Sequence, residues 1–182
     1  MQFFRTDRSR DSVIRKAALC VLQDGRRHPH QRRIPKNVLE EAELRLQTAA
    51  DGISEAPDFA ALYDLVNRVI GPISGIGALT VYDIAHRLGA FLNKEPALVY
   101  LHAGTKAGAA LLGFRGESVR PDELPPSFSR LTAAEIEDCL CRYCCDLQGK
   151  LRAGPSKRQP LPLCPNFSGR RKGCHAEDRR PM

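Results

Sequence analysis

Ile73-Ser74-Gly75-Ile76-Gly77-Ala78-Leu79-Thr80-Val81-Tyr82-Asp83-Ile84-Ala85-His86-Arg87-Leu88 combines a glycine turn with a helical apolar period. Gly71-Pro72 stops the helix before it, since proline has no amide to continue the ladder. Two glycines flanking one apolar residue let the chain turn tightly at positive φ. Ile76 then tucks inward and pins two helices together. After the turn, Ile84, Ala85, Leu88 and Phe91 share one face of a helix running from about Leu79 to Leu92. The amides of Gly75, Gly77 and the next residues point outward at the start of that helix. Unpaired donors and a favourable dipole make such a place suited to a phosphate. The same turn also serves as a plain helix connection with no ligand.

The flanking sequence is helical too. Val13, Ile14, Ala17, Ala18, Val21 and Leu22 predict a helix from Ser12 to about Gln23, capped by Asp11 or Ser12 and ended by Gly25. A second runs from about Lys36 to Ala50, with Pro35 at its start, Gly52 past its end and a stripe of Val38, Leu39, Ala42, Leu46 and Ala49. Asp58 opens a third through Leu62, Leu65, Val66 and Val69. Ala97–Leu101 is a short apolar run leading into a small-residue helix around Thr105–Leu112, where Gly104, Ala107, Gly108, Ala109 and Ala110 allow close helix packing. Pro121–Pro126 reads as an extended connector. Thr132 and Glu135 form a capping-box pattern for a helix from Leu131 to about Leu147, with Ile136 and Leu140 facing inward. No period-two pattern is sustained. The expected fold is all-α: a compact helical domain over residues 1–148, then a basic, Pro/Gly-rich tail over 149–182 that reads as disordered.

Composition, at 42% hydrophobic and 27% charged, supports one modest core. The net charge of +7 is unevenly spread. Residues 1–36 carry ten Lys/Arg against three Asp/Glu, and residues 149–182 carry nine against two; residues 37–148 carry nine against sixteen. Basic ends hold polyanions without reading sequence, and they also serve as solvated tails. Arg26-Arg27-His28-Pro29-His30-Gln31-Arg32-Arg33 contains no core-forming residue and reads as an exposed basic loop. No membrane span or secretory signal pattern is apparent, so a cytoplasmic protein without a membrane partner is the expectation.

The seven cysteines are Cys20, Cys139, Cys141, Cys144, Cys145, Cys164 and Cys174. Cys141-x-x-Cys144 has the spacing of half a zinc site, for which Cys164 or Cys174-His175 would be the other half. Placed inside a helix, these cysteines read instead as small core residues. No metal, cofactor or catalytic residue is assigned.

The apolar-x-Gly-apolar-Gly run, the following amphipathic helix and Thr80 resemble the helix-hairpin-helix motif of DNA-binding and DNA-repair proteins. The likeness is close over roughly 20 residues at about 70–92 and extends weakly to about residue 112, where it is similar to base-excision DNA glycosylases. In those enzymes a catalytic Asp stands within Val-Asp-x-His about twenty residues past the hairpin. Here Val99-Tyr100-Leu101-His102 puts Tyr100 in its place. The bifunctional members carry a Lys just after the second glycine, where this chain has Ala78 and Leu79. The resemblance therefore implies DNA or RNA binding without that chemistry. The expected function is a non-catalytic accessory protein gripping backbone phosphate through Gly75, Ile76, Gly77 and Thr80, aided by Arg26, Arg27, Arg32 and Arg33, with weak sequence preference. One alternative is a helical protein–protein interaction module in which the turn is purely structural. A second is a DNA-processing enzyme with an atypical site near Tyr100, His102 and Lys106. Asp83 and His86, three residues apart, also share a helix face.

Overall fold

The computed structural model describes residues 1–144, and these are mostly helical. The tail over 149–182, the last turn of the expected helix to Leu147, and Cys145, Cys164, Cys174 and His175 lie outside the described residues. Eight α-helices are present among those described: α1 (Gln2–Arg5), α2 (Arg10–Ala18), α3 (Lys36–Thr48), α4 (Ala50–Glu55), α5 (Phe59–Ile70), α6 (Ala78–Leu92), α7 (Ala103–Leu111) and α8 (Ala133–Arg142). No helix among them is long and apolar enough to cross a membrane.

Local chemistry explains the boundaries. Ser9 caps α2 by accepting from the Ser12 amide, so this helix begins earlier than the Asp11/Ser12 reading allows. It also ends earlier, because Cys20 takes a left-handed φ of 57° and Val21 pairs with Arg27 across a tight turn. Such a φ disfavours a residue with a Cβ, and the Val21–Arg27 bridge and the His28 amide bond to the Cys20 carbonyl hold it in place. The basic loop is thus a folded arm rather than an open one, finishing in a 3-10 turn at Pro29–Gln31. Gly52 does not end a helix; it lies inside α4, against Leu65 of α5. Asp58 caps α5 by accepting from the Ala61 amide at 2.9 Å. Thr132 and Glu135 form the capping box of α8 as the sequence predicts.

Two apolar clusters fill the described chain. The first is built by α1–α6 around Ile14, Leu39, Leu46, Leu62, Val66, Ile84 and Leu88. The second gathers Val99, Leu101, Ala109, Val119, Leu124, Ile136 and Leu140. A small antiparallel pair, β1 (Val99–Tyr100) with β2 (Ser118–Val119), borders it and was not legible in the period-two pattern. The expected extended connector at Pro121–Pro126 is instead two 3-10 turns, Pro121–Glu123 and Pro126–Phe128. Alternation along β1 joins the clusters: Val99 and Leu101 enter the second, while Tyr100 packs on the first. Close approach of α7 and α8 depends on glycine, since a Cβ on Gly108 would lie 2.3 Å from the Leu140 carbonyl oxygen.

Candidate functional site

The α5–α6 connection is a tight turn anchored by apolar side chains. Ile73 is buried and Ile76 is half-buried against the first core. The Ile73 amide bonds the Ile70 carbonyl and the Ile76 amide bonds that of Ile73, both at 3.0 Å. Gly75 has φ of +94°, a conformation that only glycine takes without strain. Gly77 differs from the expectation: it is extended (φ −105°, ψ 170°) and caps α6. No Cβ is excluded there by the chain itself, since nothing lies within 4 Å of one. Gly75, Gly77 and Ala78 are exposed. Among the described residues, none of the backbone or side-chain bonds engages the amides of Gly75, Gly77, Ala78 or Leu79. These donors open the fifteen-residue α6 to solvent.

The other residues expected to assist the turn are divided. Thr80 is buried at 6% exposure. Arg27 donates to the Ile34 carbonyl at 2.7 Å, and Arg26 lies 3.8 Å from Asp24. Arg32 and Arg33 are exposed, and neither forms an ion pair among the described residues.

A second polar group, which the sequence reading did not assemble, lies further along α6. Asp83 is bonded to His30 (Nδ1–Oδ2 3.1 Å) and accepts from Gln31 Nε2, both on the folded arm. Arg87 lies one helical turn on, 3.8 Å from the same carboxylate oxygen. It is almost fully buried and donates to Gln31 Oε1 at 3.2 Å and to the Ala17 carbonyl at 3.4 Å. Burial alone would raise the Asp83 pKa, but the bonds from His30 and Gln31 and the Arg87 charge bring it below the ordinary carboxylate value. The hydrogen bond to Asp83 raises His30, whereas burial and the Arg87 charge lower His28. His28 and His30 meet edge to face at 4.5 Å between ring centroids.

Behind Asp83 the polar seam continues between the two cores. The tilted Tyr82 and His102 rings meet at 4.9 Å between centroids, and both are buried. The Tyr82 hydroxyl and both His102 ring nitrogens have no hydrogen-bond partner among the described residues. His102 Nε2 is 3.3 Å from Glu137 Oε1, outside hydrogen-bonding geometry, and that same oxygen accepts from Thr105 at 2.7 Å. Burial pushes the Glu137 carboxyl up to about 7 and pushes His102 down. Cys141, also on α8, is raised to about 11 by burial and is a neutral thiol.

Of the atypical set, Tyr100 and His102 both pack against the Tyr82 ring. Tyr100 packs in an aromatic group with Phe59, Tyr63 and Tyr82, while the Lys106 ammonium bonds Glu117 at 2.8 Å. His86 does not pair with Asp83; its nearest carboxylate is Glu95 at 3.7 Å. Two signals could have revealed the Asp83 group: the i,i+4 spacing of Asp83 and Arg87 on an otherwise apolar helix, and two histidines in a stretch taken only for its charge. Comparison with known protein families, with curated proteins and with solved structures finds no match to this chain.

Proposed function

We propose that the protein binds the phosphate backbone of DNA or RNA through the turn between α5 and α6, as a non-catalytic accessory with weak sequence preference. One observation carries the reading: the amides of Gly75, Gly77, Ala78 and Leu79 have no partner among the described residues, and Gly75, Gly77 and Ala78 are exposed at the start of a long helix. Donors of that kind suit an anion, and glycine lets a backbone approach closely. Its similarity to the helix-hairpin-helix run favours nucleic acid over a free anion. Arg32 and Arg33 and the nine basic residues of 149–182 supply sequence-independent attraction. Arg26 is exposed and adds to that attraction, whereas Thr80 is buried and Arg27 already donates to the Ile34 carbonyl.

Anisotropy titrations with labelled single- and double-stranded oligonucleotides at low salt test it. Saturable binding that weakens with salt and falls on substitution of Gly77 is the expected result. No binding to either form ends the proposal. Binding that survives Gly75 and Gly77 substitution but disappears on deletion of 149–182 assigns it to the tail.

A further inference from the structure

We propose that His28, His30 and Asp83 bind a first-row transition-metal dication of the zinc type, a property independent of the nucleic-acid reading. One ligand atom from each of the three lies within 4.8 Å of the other two. His30 Nδ1 and Asp83 Oδ2 are 3.1 Å apart, near the roughly 3.4 Å separation that tetrahedral bonds of about 2.0–2.1 Å impose on neighbouring ligands. Two imidazoles and one carboxylate are a borderline donor set. They favour Zn²⁺, Co²⁺, Ni²⁺ or Fe²⁺ over Mg²⁺ and Ca²⁺, which prefer oxygen alone. Three protein ligands leave at least one position for water.

The surroundings are built to hold these ligands. Arg87 donates to Gln31, and Gln31 in turn donates to Asp83, so the carboxylate is oriented by a chain of two side chains. Outer partners of this type fix ligand direction in metal sites. His28 is placed by its backbone, whose amide bonds the Cys20 carbonyl at 2.8 Å, and its Nδ1 receives a long 3.3 Å contact from the His30 amide. His30 is 40% exposed, which gives an ion a path from solvent. The His30–Asp83 hydrogen bond spans the gap that the ion would occupy. On binding, two ring nitrogens and a carboxylate oxygen donate to the metal, and the His30 Nδ1 proton leaves to solvent. Arg87, whose guanidinium lies 3.8 Å from the same Asp83 oxygen, opposes a positive ion and lowers its affinity.

The test uses the full chain, stripped with chelator and titrated with Co²⁺ and then Zn²⁺. Calorimetry should give about one ion per chain, with a visible Co²⁺ spectrum of nitrogen and oxygen ligation. His28→Ala and His30→Ala should each lower affinity by more than the roughly 10–100-fold that loss of an outer partner costs. Circular dichroism checks that the variants are folded. If either is not, Co²⁺ in the unsubstituted chain must broaden the His28 and His30 imidazole resonances ahead of those of His86 and His102. No uptake overturns the proposal, as does unchanged affinity in both folded variants or broadening confined to other histidines. Thiolate-to-cobalt charge-transfer absorption also overturns it, because the ion would then be held by cysteines.

Discussion

The glycine turn at the start of α6 and the polar group around Asp83 and Arg87 lie only six to ten residues apart on one helix, yet they are made in opposite ways. The turn is local. Its anchors Ile73 and Ile76, its one left-handed residue Gly75 and its free amides all come from a single short segment. The Asp83 group is non-local: Ala17 lies in the last turn of α2, His30 and Gln31 sit on the arm, and the two charged residues sit on α6. The turn leaves backbone donors facing water, where they cost nothing until something binds. The polar group hides a guanidinium and a carboxylate, so every partner it lacks would cost stability. One region is therefore free to change in ligand affinity, and the other is committed to holding the arm.

Replacing Arg87 breaks this contrast most severely. Arg87→Met removes the bonds to Ala17 and Gln31 and leaves Asp83 without its guanidinium. Removing one member of a buried pair costs about 3–5 kcal/mol, which a urea unfolding curve of the full chain will read. Adding Asp83→Asn should recover part of the loss, since the stranded charge is then gone. A single-variant loss under about 1 kcal/mol would put the pair in the class of exposed ones and dissolve the contrast.

Glu137 extends the contrast to pH. Residues 71–79 contain no ionisable side chain, so the turn contributes no pH dependence. Glu137 faces Thr105 and His102, and also feels Asp83, Asp138 and His30. Its carboxyl titrates near 7 when folded, against an unperturbed value of 4.5. The native state keeps the proton that the unfolded chain gives up. Its contribution to stability is therefore complete below about 4.5, declines as pH rises, and is lost by about 7. The whole decline is on the order of 3 kcal/mol. Glu137→Gln should flatten stability across that window, and an unchanged pH profile would show that the carboxyl is solvated.

How far each region could be read in the sequence follows from the same distinction. Asp58, Thr132 and Glu135 announce their helix starts because a cap acts over three residues. The turn was legible for the same reason, apart from the conformation of Gly77. The early end of α2 was not, because Cys20 is held left-handed by the arm folding back, and Gly25 looks like the natural stop. Gly52 looked like a terminator because α4 is stabilised by packing on α5, not by propensity. His30 reads as loop charge because its partner, Asp83, is more than fifty residues away. The pair Val99–Tyr100 with Ser118–Val119 is too short to show alternation.

The two glycines of the turn make the smallest and sharpest comparison. Gly75→Ala places a Cβ in ordinary contact, 3.6 Å from Val38 Cγ1, so its cost is conformational, about 1–2 kcal/mol for holding φ at +94°. Gly77→Ala meets nothing in the chain and keeps an allowed backbone, so it should cost only about 0.5 kcal/mol as a poorer cap. Its methyl group projects into the space a phosphate would enter. Oligonucleotide affinity should then fall about fivefold to tenfold, the equivalent of roughly 1–1.4 kcal/mol, with thermal stability almost unchanged. Amides carry no net charge and release no counterions, so the slope of log affinity against log salt should stay the same. Deleting 149–182 should do the reverse, flattening the slope through loss of its nine basic residues. A Gly77→Ala protein that binds as tightly as the unsubstituted chain would leave the turn as a helix connection and nothing more.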